Sequence, residues 1–216
     1  RLPAKLTATQ LKGRGLDLEA AEEAPAQPEP SRKPWRTPQF LQDRPLTGRE
    51  KGSATHLFMQ FVRYESCTTR EGIRQELVRM QAEKFLTPRQ AEAVDAEKIL
   101  ALFSSELGNR ILHADSLRRE FKFSILADAA AYDPAAVGEQ VMLQGVVDCF
   151  WQEPDGIVIL DFKTDYIHGD LQQKAARYAP QLRAYAQALS RIYQCPVKKT
   201  VLYFFSAGRE VEIDPE

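Results

Sequence analysis

Cysteine is nearly absent. Cys67, Cys149 and Cys195 are odd in number, far apart, and form no C-x-x-C pair. That argues against a disulfide framework, a zinc ribbon and a four-cysteine iron–sulfur cluster, and leaves three reduced thiols. Neither sign of charge is in excess: 29 Lys and Arg against 30 Asp and Glu leave a net charge of −1. Bulk charge therefore gives no reason to expect nucleic acid, and any DNA-binding surface has to be local. No apolar run approaches the ~18 residues of a membrane span. No charged-then-apolar segment opens the chain in the manner of a signal peptide. No G-x-x-x-x-G-K-[ST] occurs, so ATP hydrolysis is not expected of this piece. An initial Met is lacking too, and Arg1 reads as the start of an excised portion of a longer polypeptide.

What is present is an ordinary globular composition, 44% apolar and 27% charged over 216 residues. A chain of this length buries roughly 70% of its unfolded surface, enough for a real core without staples. Residues 5–12 read as a short strand or a helix start. Residues 17–38 are rich in acidic residues, proline and alanine and offer little apolar surface to offset chain entropy, so 13–36 is expected to be a flexible loop. Residues 47–64 read as a helix with Leu57, Phe58, Phe61 and Val62 on one face and His56 on or near it. Residues 70–84 form a second helix striped by Ile73, Leu77 and Met80. Thr87 as N-cap with Pro88 at the first position opens a third, expected to run through Ile99, Leu102 and Phe103.

After Gly108 the period changes from helix to strand. Phe121, Phe123 and Ile125 alternate; residues 141–151 form a second strand; 154–156 make a turn; and 157–163 form a third strand. Its unbroken apolar run suits the middle of a sheet covered on both faces. Residues 170–194 are helical, with a break near Ala179 forced by Pro180. A fourth strand covers 196–205, and 210–213 pair back as an edge. This order of elements is α/β.

The chemistry is concentrated in the hairpin 141–163. Asp148 interrupts one apolar strand, Asp161 ends the next, and Lys163 follows two positions later on the same face. A tight turn between the strands brings residue 148 nearly level with 161–163. Two carboxylates at one point repel unless a cation sits between them. Hard oxygen ligands with room for water suit Mg²⁺ or Mn²⁺, an ion able to acidify water and neutralise charge on a scissile phosphate.

Gly145-Val-Val-Asp148, Leu160-Asp-Phe-Lys-Thr164 and Tyr178-x-x-Gln181-x-x-x-Tyr185 together resemble the RecB-type branch of the PD-(D/E)xK nucleases, and within it the C-terminal nuclease domains of AddA-type helicase–nucleases. Thr7-Ala-Thr-Gln-Leu-Lys12, Gly52-Ser-Ala-Thr-His56 and Arg119-Glu-Phe-Lys-Phe123 resemble further segments of that family, in the right order. The resemblance implies a single nuclease domain over 1–216: an opening segment 1–12, the loop 13–36, a helical part 38–108 and a restriction-endonuclease-like α/β core 118–214 with a central mixed sheet. It implies that Asp148, Asp161, His56 and the Phe162 carbonyl hold the metal, that Lys163 is the catalytic lysine, and that Glu120 is an acidic position near a second metal or a water. Tyr178, Gln181 and Tyr185 would contact DNA by hydrogen bonds and stacking; Lys174, Arg177 and Arg183 read mainly as a solvated helix face. The implied partners are single-stranded DNA ends, helicase domains of the same polypeptide and an AddB-like subunit, in double-strand-break repair by homologous recombination in a bacterial cytoplasm. The absence of four cluster cysteines sets the chain apart from AddB-type relatives. Two other readings stay open: a catalytically inactive nuclease-fold module that binds DNA or a partner, and a standalone phage-type exonuclease.

Overall fold

The computed structural model describes residues 4–11, 46–167 and 169–215. Among them run six strands, β1 (Lys5–Thr7), β2 (Arg118–Asp128), β3 (Gln140–Glu153), β4 (Gly156–Lys163), β5 (Val197–Phe204) and β6 (Arg209–Ile213). The helices are α1 (Gly48–Phe61), α2 (Arg70–Ala82), α3 (Pro88–Ala93), α4 (Ala96–Phe103), α5 (Glu106–Leu112), α6 (Leu171–Ala176) and α7 (Ala179–Tyr193). The expected loop at 13–36 and the first residues of the expected helical part 38–108, up to 45, lie outside the described residues.

Local signals start the helices. Thr47 and Glu50 form a reciprocal cap on α1, and Thr87 and Gln90 do the same on α3, with Pro88 in its first turn. The single helix expected from Thr87 to Phe103 is in fact two. Val94 leaves the helical region, and the Asp95 side chain accepts the N–H groups of Glu97 and Lys98, so an Asp inside the periodic run becomes a new start. Helix α5 was not expected; Ser105 caps it, and Gly108, read above as a boundary, lies inside it. Proline acts as foreseen: α6 ends at Ala176 and α7 restarts at Ala179 with Pro180 in its first turn.

The sheet is mixed, in the order β1-β3-β4-β5-β6, with β2 paired to the other edge of β3. β3 and β4 are antiparallel, joined at Gly156, whose φ of +146° favours glycine. β4 and β5 are parallel, with α6 and α7 as the crossover. β4 is buried along its whole length except Lys163. Helices α1 to α5 pack against one face, around Phe58, Met80, Leu102, Trp151, Leu160 and Tyr203. On the other face α7 covers Leu143, Phe150, Ile159 and Leu202. Emptying one of these positions, as in Leu160→Ala, would cost about 3 kcal/mol.

One irregularity sets up the site. Val147 belongs to the α7-side core, whereas Cys149 and Trp151 belong to the other. Alternate residues of a regular strand share a face, so β3 rolls over at Asp148. Glu120, opposite on β2, is skipped in the pairing and has φ +49°, a left-handed conformation rare outside glycine. On the far edge of β3, β1 pairs with 142–144 and β4 joins only at Cys149, so among the described residues no strand covers 145–148 there.

Candidate active site

The gap in pairing on β3 leaves Asp148 free to use its side chain where a ladder would use backbone. Its Oδ2 accepts the Phe162 N–H of β4 at 2.8 Å and lies 3.6 Å from His56 Nδ1 of α1. Two residues along β4 from Asp161, the Lys163 Nζ stands 2.6 Å from Asp161 Oδ2. Asp161 is almost wholly buried, and that same Oδ2 has no aligned hydrogen-bond donor despite the nearby ammonium. Lys163 is held from its other side: Nζ donates to Gln181 Oε1 at 3.2 Å and sits 4.2 Å over the Tyr178 ring. Gln181 Nε2 donates to the Tyr185 hydroxyl at 2.7 Å, and the Tyr178 hydroxyl donates to the Asp165 carboxylate.

The electrostatics are those of crowded acids. Burial, and then the charge of Asp161, push the Asp148 carboxyl up, while His56 and Lys163 pull it down. Glu120 is pushed up to about 7 by burial and by the charges of Asp148 and Asp161, against the pull of Lys122. Burial above all keeps the Tyr185 phenol protonated. Lys163 is thus shared between two aspartates that repel one another.

This donor set fits a hard divalent cation: carboxylates, one imidazole, and a buried carboxylate oxygen without an aligned donor. It is not a preformed cage. Among the described residues no three His, Cys, Asp or Glu side chains stand close enough to enclose an ion. Lys163 lies where a ligand of Asp161 would.

A family model described as the PD-(D/E)XK nuclease superfamily matches residues 31–215. The chain belongs to that superfamily. Among curated relatives, the A subunit of the ATP-dependent helicase/nuclease of Bacillus cereus (strain Q1) is 41% identical over 195 residues, covering 85% of this chain and 16% of its own length. The protein of the same name from Clostridium novyi (strain NT) is 36% identical over 220 residues, 99% of this chain and 18% of the relative. That from Bacillus cytotoxicus is 40% identical over 85% of this chain and 16% of its own. The chain thus spans about a sixth of the length of these relatives. The central mixed sheet flanked by helices is the fold expected of the superfamily.

The structure links the set by pairs, His56 to Asp148, Asp148 to the Phe162 N–H and Asp161 to Lys163, with Glu120 on β2 in the field of both aspartates. Tyr178, Gln181 and Tyr185 do converge, but not as an open stripe: all three are buried beneath Lys163, and their faces are not free to stack on bases. The small and apolar residues beside them on α7, Leu182, Ala184, Ala188 and Leu189, were the sequence signal for burial. Arg177 and Arg183 are exposed, and Lys174 donates to the Tyr166 carbonyl. Two features had no signal in the pattern: the left-handed Glu120, and the approach of α1 to Thr164. A Cβ on Gly52 would lie 2.5 Å from Thr164 Oγ1, so glycine lets the helix bearing His56 close on the end of β4. No helix among the described residues is long and apolar enough to cross a membrane.

Proposed function

We propose that this chain hydrolyses phosphodiester bonds of DNA in a divalent-metal-dependent reaction centred on Asp148, Asp161 and Lys163. The observation that carries the reading is the buried Asp161 oxygen without an aligned donor, beside the Asp148 carboxyl, which burial pushes up, and a lysine held by Gln181. Asp148, Asp161, His56 and the Phe162 carbonyl would hold the ion, Mg²⁺ or Mn²⁺. Bound there, it would draw charge off the scissile phosphate and acidify the attacking water.

The chain's own groups do the rest. Lys163 holds the attacking water against the phosphate, and the Gln181 amide and Tyr178 ring keep its ammonium pointed inward. Glu120 orients a water or reaches a second ion. The low-dielectric walls from β4 and α7 strengthen each of these contacts. Water attacks phosphorus, the bond to the 3′ oxygen breaks, and a 5′-phosphate and a 3′-hydroxyl remain.

The names of the relatives, which describe one subunit of an ATP-dependent helicase/nuclease, support a wider setting. In it the chain acts as an exonuclease on single-stranded ends delivered by helicase domains of the same polypeptide. It works with an AddB-like subunit, in recombinational repair of double-strand breaks in the bacterial cytoplasm.

The test is degradation of end-labelled DNA with Mg²⁺ or Mn²⁺, comparing the wild type with Asp161→Ala. Loss of cutting in the variant and in chelator is expected. Equal cutting by both proteins would overturn the site built on Asp161, and no cutting by the wild type would leave a nuclease-fold module that binds without cleaving.

A further inference from the structure

A groove of about 170 Å³ opens beside the site, between the first turns of α1, the start of α4 and the loops that follow β4 and β5. Gly52 and Thr164, which approach each other closely, both line it. Thr164 follows Lys163 directly, and His56 lies one turn beyond Gly52 on α1, so the groove borders the two elements that carry Lys163 and His56. The lining is rich in donors. Lys51 is exposed and has no ion-pair partner among the described residues, and Lys98 is partly exposed. The Thr164 hydroxyl is not spent on any hydrogen bond among the described residues. The carboxylate in the wall, Asp95, is already occupied: it caps α4 and pairs with Lys98 at 3.3 Å.

Tyr166 also lines the groove. It is 69% exposed and its ring packs on no other aromatic ring among the described residues. Yet its backbone is fastened. The Tyr166 carbonyl accepts from Lys174 Nζ at 2.5 Å, and the Asp165 carbonyl accepts from Ser206 Oγ at 2.6 Å. The Tyr178 hydroxyl holds the Asp165 carboxylate. An exposed aromatic ring on a pinned backbone presents a flat face without the ordering cost of a loose loop.

We infer that this groove holds the stretch of single-stranded DNA adjoining the phosphate to be cut. Tyr166 stacks on an unpaired base, while Lys51, Lys98 and the Thr164 hydroxyl hold backbone phosphates. The inference rests on the nuclease reading and adds to it where the strand lies. Ammonium and hydroxyl donors beside a free ring match phosphate and base together, the pairing used on single strands. The strand here would be stacked mainly on Tyr166, since the buried Tyr178 and Tyr185 offer no open face.

The experiment uses the full chain carrying Asp161→Asn, so that binding is read without cutting, and a fluorescein-labelled single-stranded oligothymidylate at fixed salt. Tyr166→Ala should weaken binding about tenfold, with Tyr166→Phe near wild type, since one base stack is removed and then restored. Lys51→Gln with Lys98→Gln should weaken it further and flatten the salt dependence by roughly 0.7 for each phosphate that is no longer neutralised. An iododeoxyuridine strand should photo-cross-link to Tyr166. Unchanged melting temperatures show that these exposed positions leave the fold intact. Wild-type affinity in all the groove variants, or a weakening that follows Arg177→Gln and Arg183→Gln instead, overturns the groove while leaving nuclease activity standing. Conversely, if the protein without Asp161→Asn fails to cut but Tyr166→Ala still weakens binding, the nuclease reading falls and the groove survives as a strand-binding site.

Discussion

The same two strands carry a charge cluster at each end, and the two are built in opposite ways. At the turn end, the Glu153 carboxylate meets Lys198 at 2.6 Å, Arg110 at 2.9 Å and the Trp151 indole N–H at 2.9 Å. These donors, Lys198 first, hold its pKa down at about 2. At the other end, Asp148 and Asp161 share the field of Lys163, Glu120 has only the weaker pull of Lys122, and burial pushes Glu120 and Asp148 up. The first cluster is satisfied and contributes stability. The second is short of cations and costs stability, which is what a site awaiting a metal and a phosphate requires.

The comparison can be broken most sharply through activity. Lys163→Ala or Asp161→Ala should lower DNA cleavage by about a thousandfold, whereas Lys198→Ala, on the same sheet, should leave it within a factor of a few. Similar losses from both would show that the lysines differ in nothing but place.

Stability against pH gives the next largest effect, with opposite signs at the two ends. In metal-free protein, Glu120 has a folded pKa raised to about 7 from 4.5. Its favourable contribution is therefore complete below the unfolded value and is lost as pH rises through about 7. Glu120→Gln should then be the more stable protein at pH 8, by roughly 2 kcal/mol, and should gain nothing at pH 4. Thermal unfolding in chelator measures this, and a variant that melts below wild type at pH 8 would contradict it.

Glu153 is the reverse case. Its pKa is lowered from 4.5 to about 2, so its contribution is present above the unfolded value and is lost as pH falls toward 2. Glu153→Gln should cost about 1 kcal/mol at pH 7, after allowance for solvent around its partly exposed partners, with the cost fading in acid. Urea unfolding at the two pH values measures it, and a cost that persists at pH 2 would contradict it.

The smallest expected effect probes how Lys163 is aimed. Tyr185→Phe removes the acceptor of the Gln181 amide and should lower kcat about fivefold with KM little changed. A change confined to KM would instead favour direct DNA contact by this residue.

Much of this architecture was legible in advance. The apolar run of β4 placed it centrally, Pro180 broke the helix, and the period of 2 put Asp161 and Lys163 on one face. Boundaries set by a single side chain were less legible. Asp95 splits a helix because its oxygen can reach the N–H groups of Glu97 and Lys98, a competition that periodicity does not register. Gln181 and Tyr185 were visible as a pair, but their depth was not, since an i, i+4 spacing is the same on a solvated face and on a packed one.

By itself the sequence determined the order of elements, the hairpin that levels Asp148 with Asp161 and Lys163, and the membership of the charged set, because these follow from local period and turn chemistry. Only the tertiary structure decided that β3 rolls over at Asp148, that Glu120 adopts a left-handed backbone opposite it, and that α1 closes through Gly52 onto Thr164. Those are contacts between segments distant in the chain, and their geometry depends on what packs from both faces of the sheet at once. That is information no single stretch of residues contains.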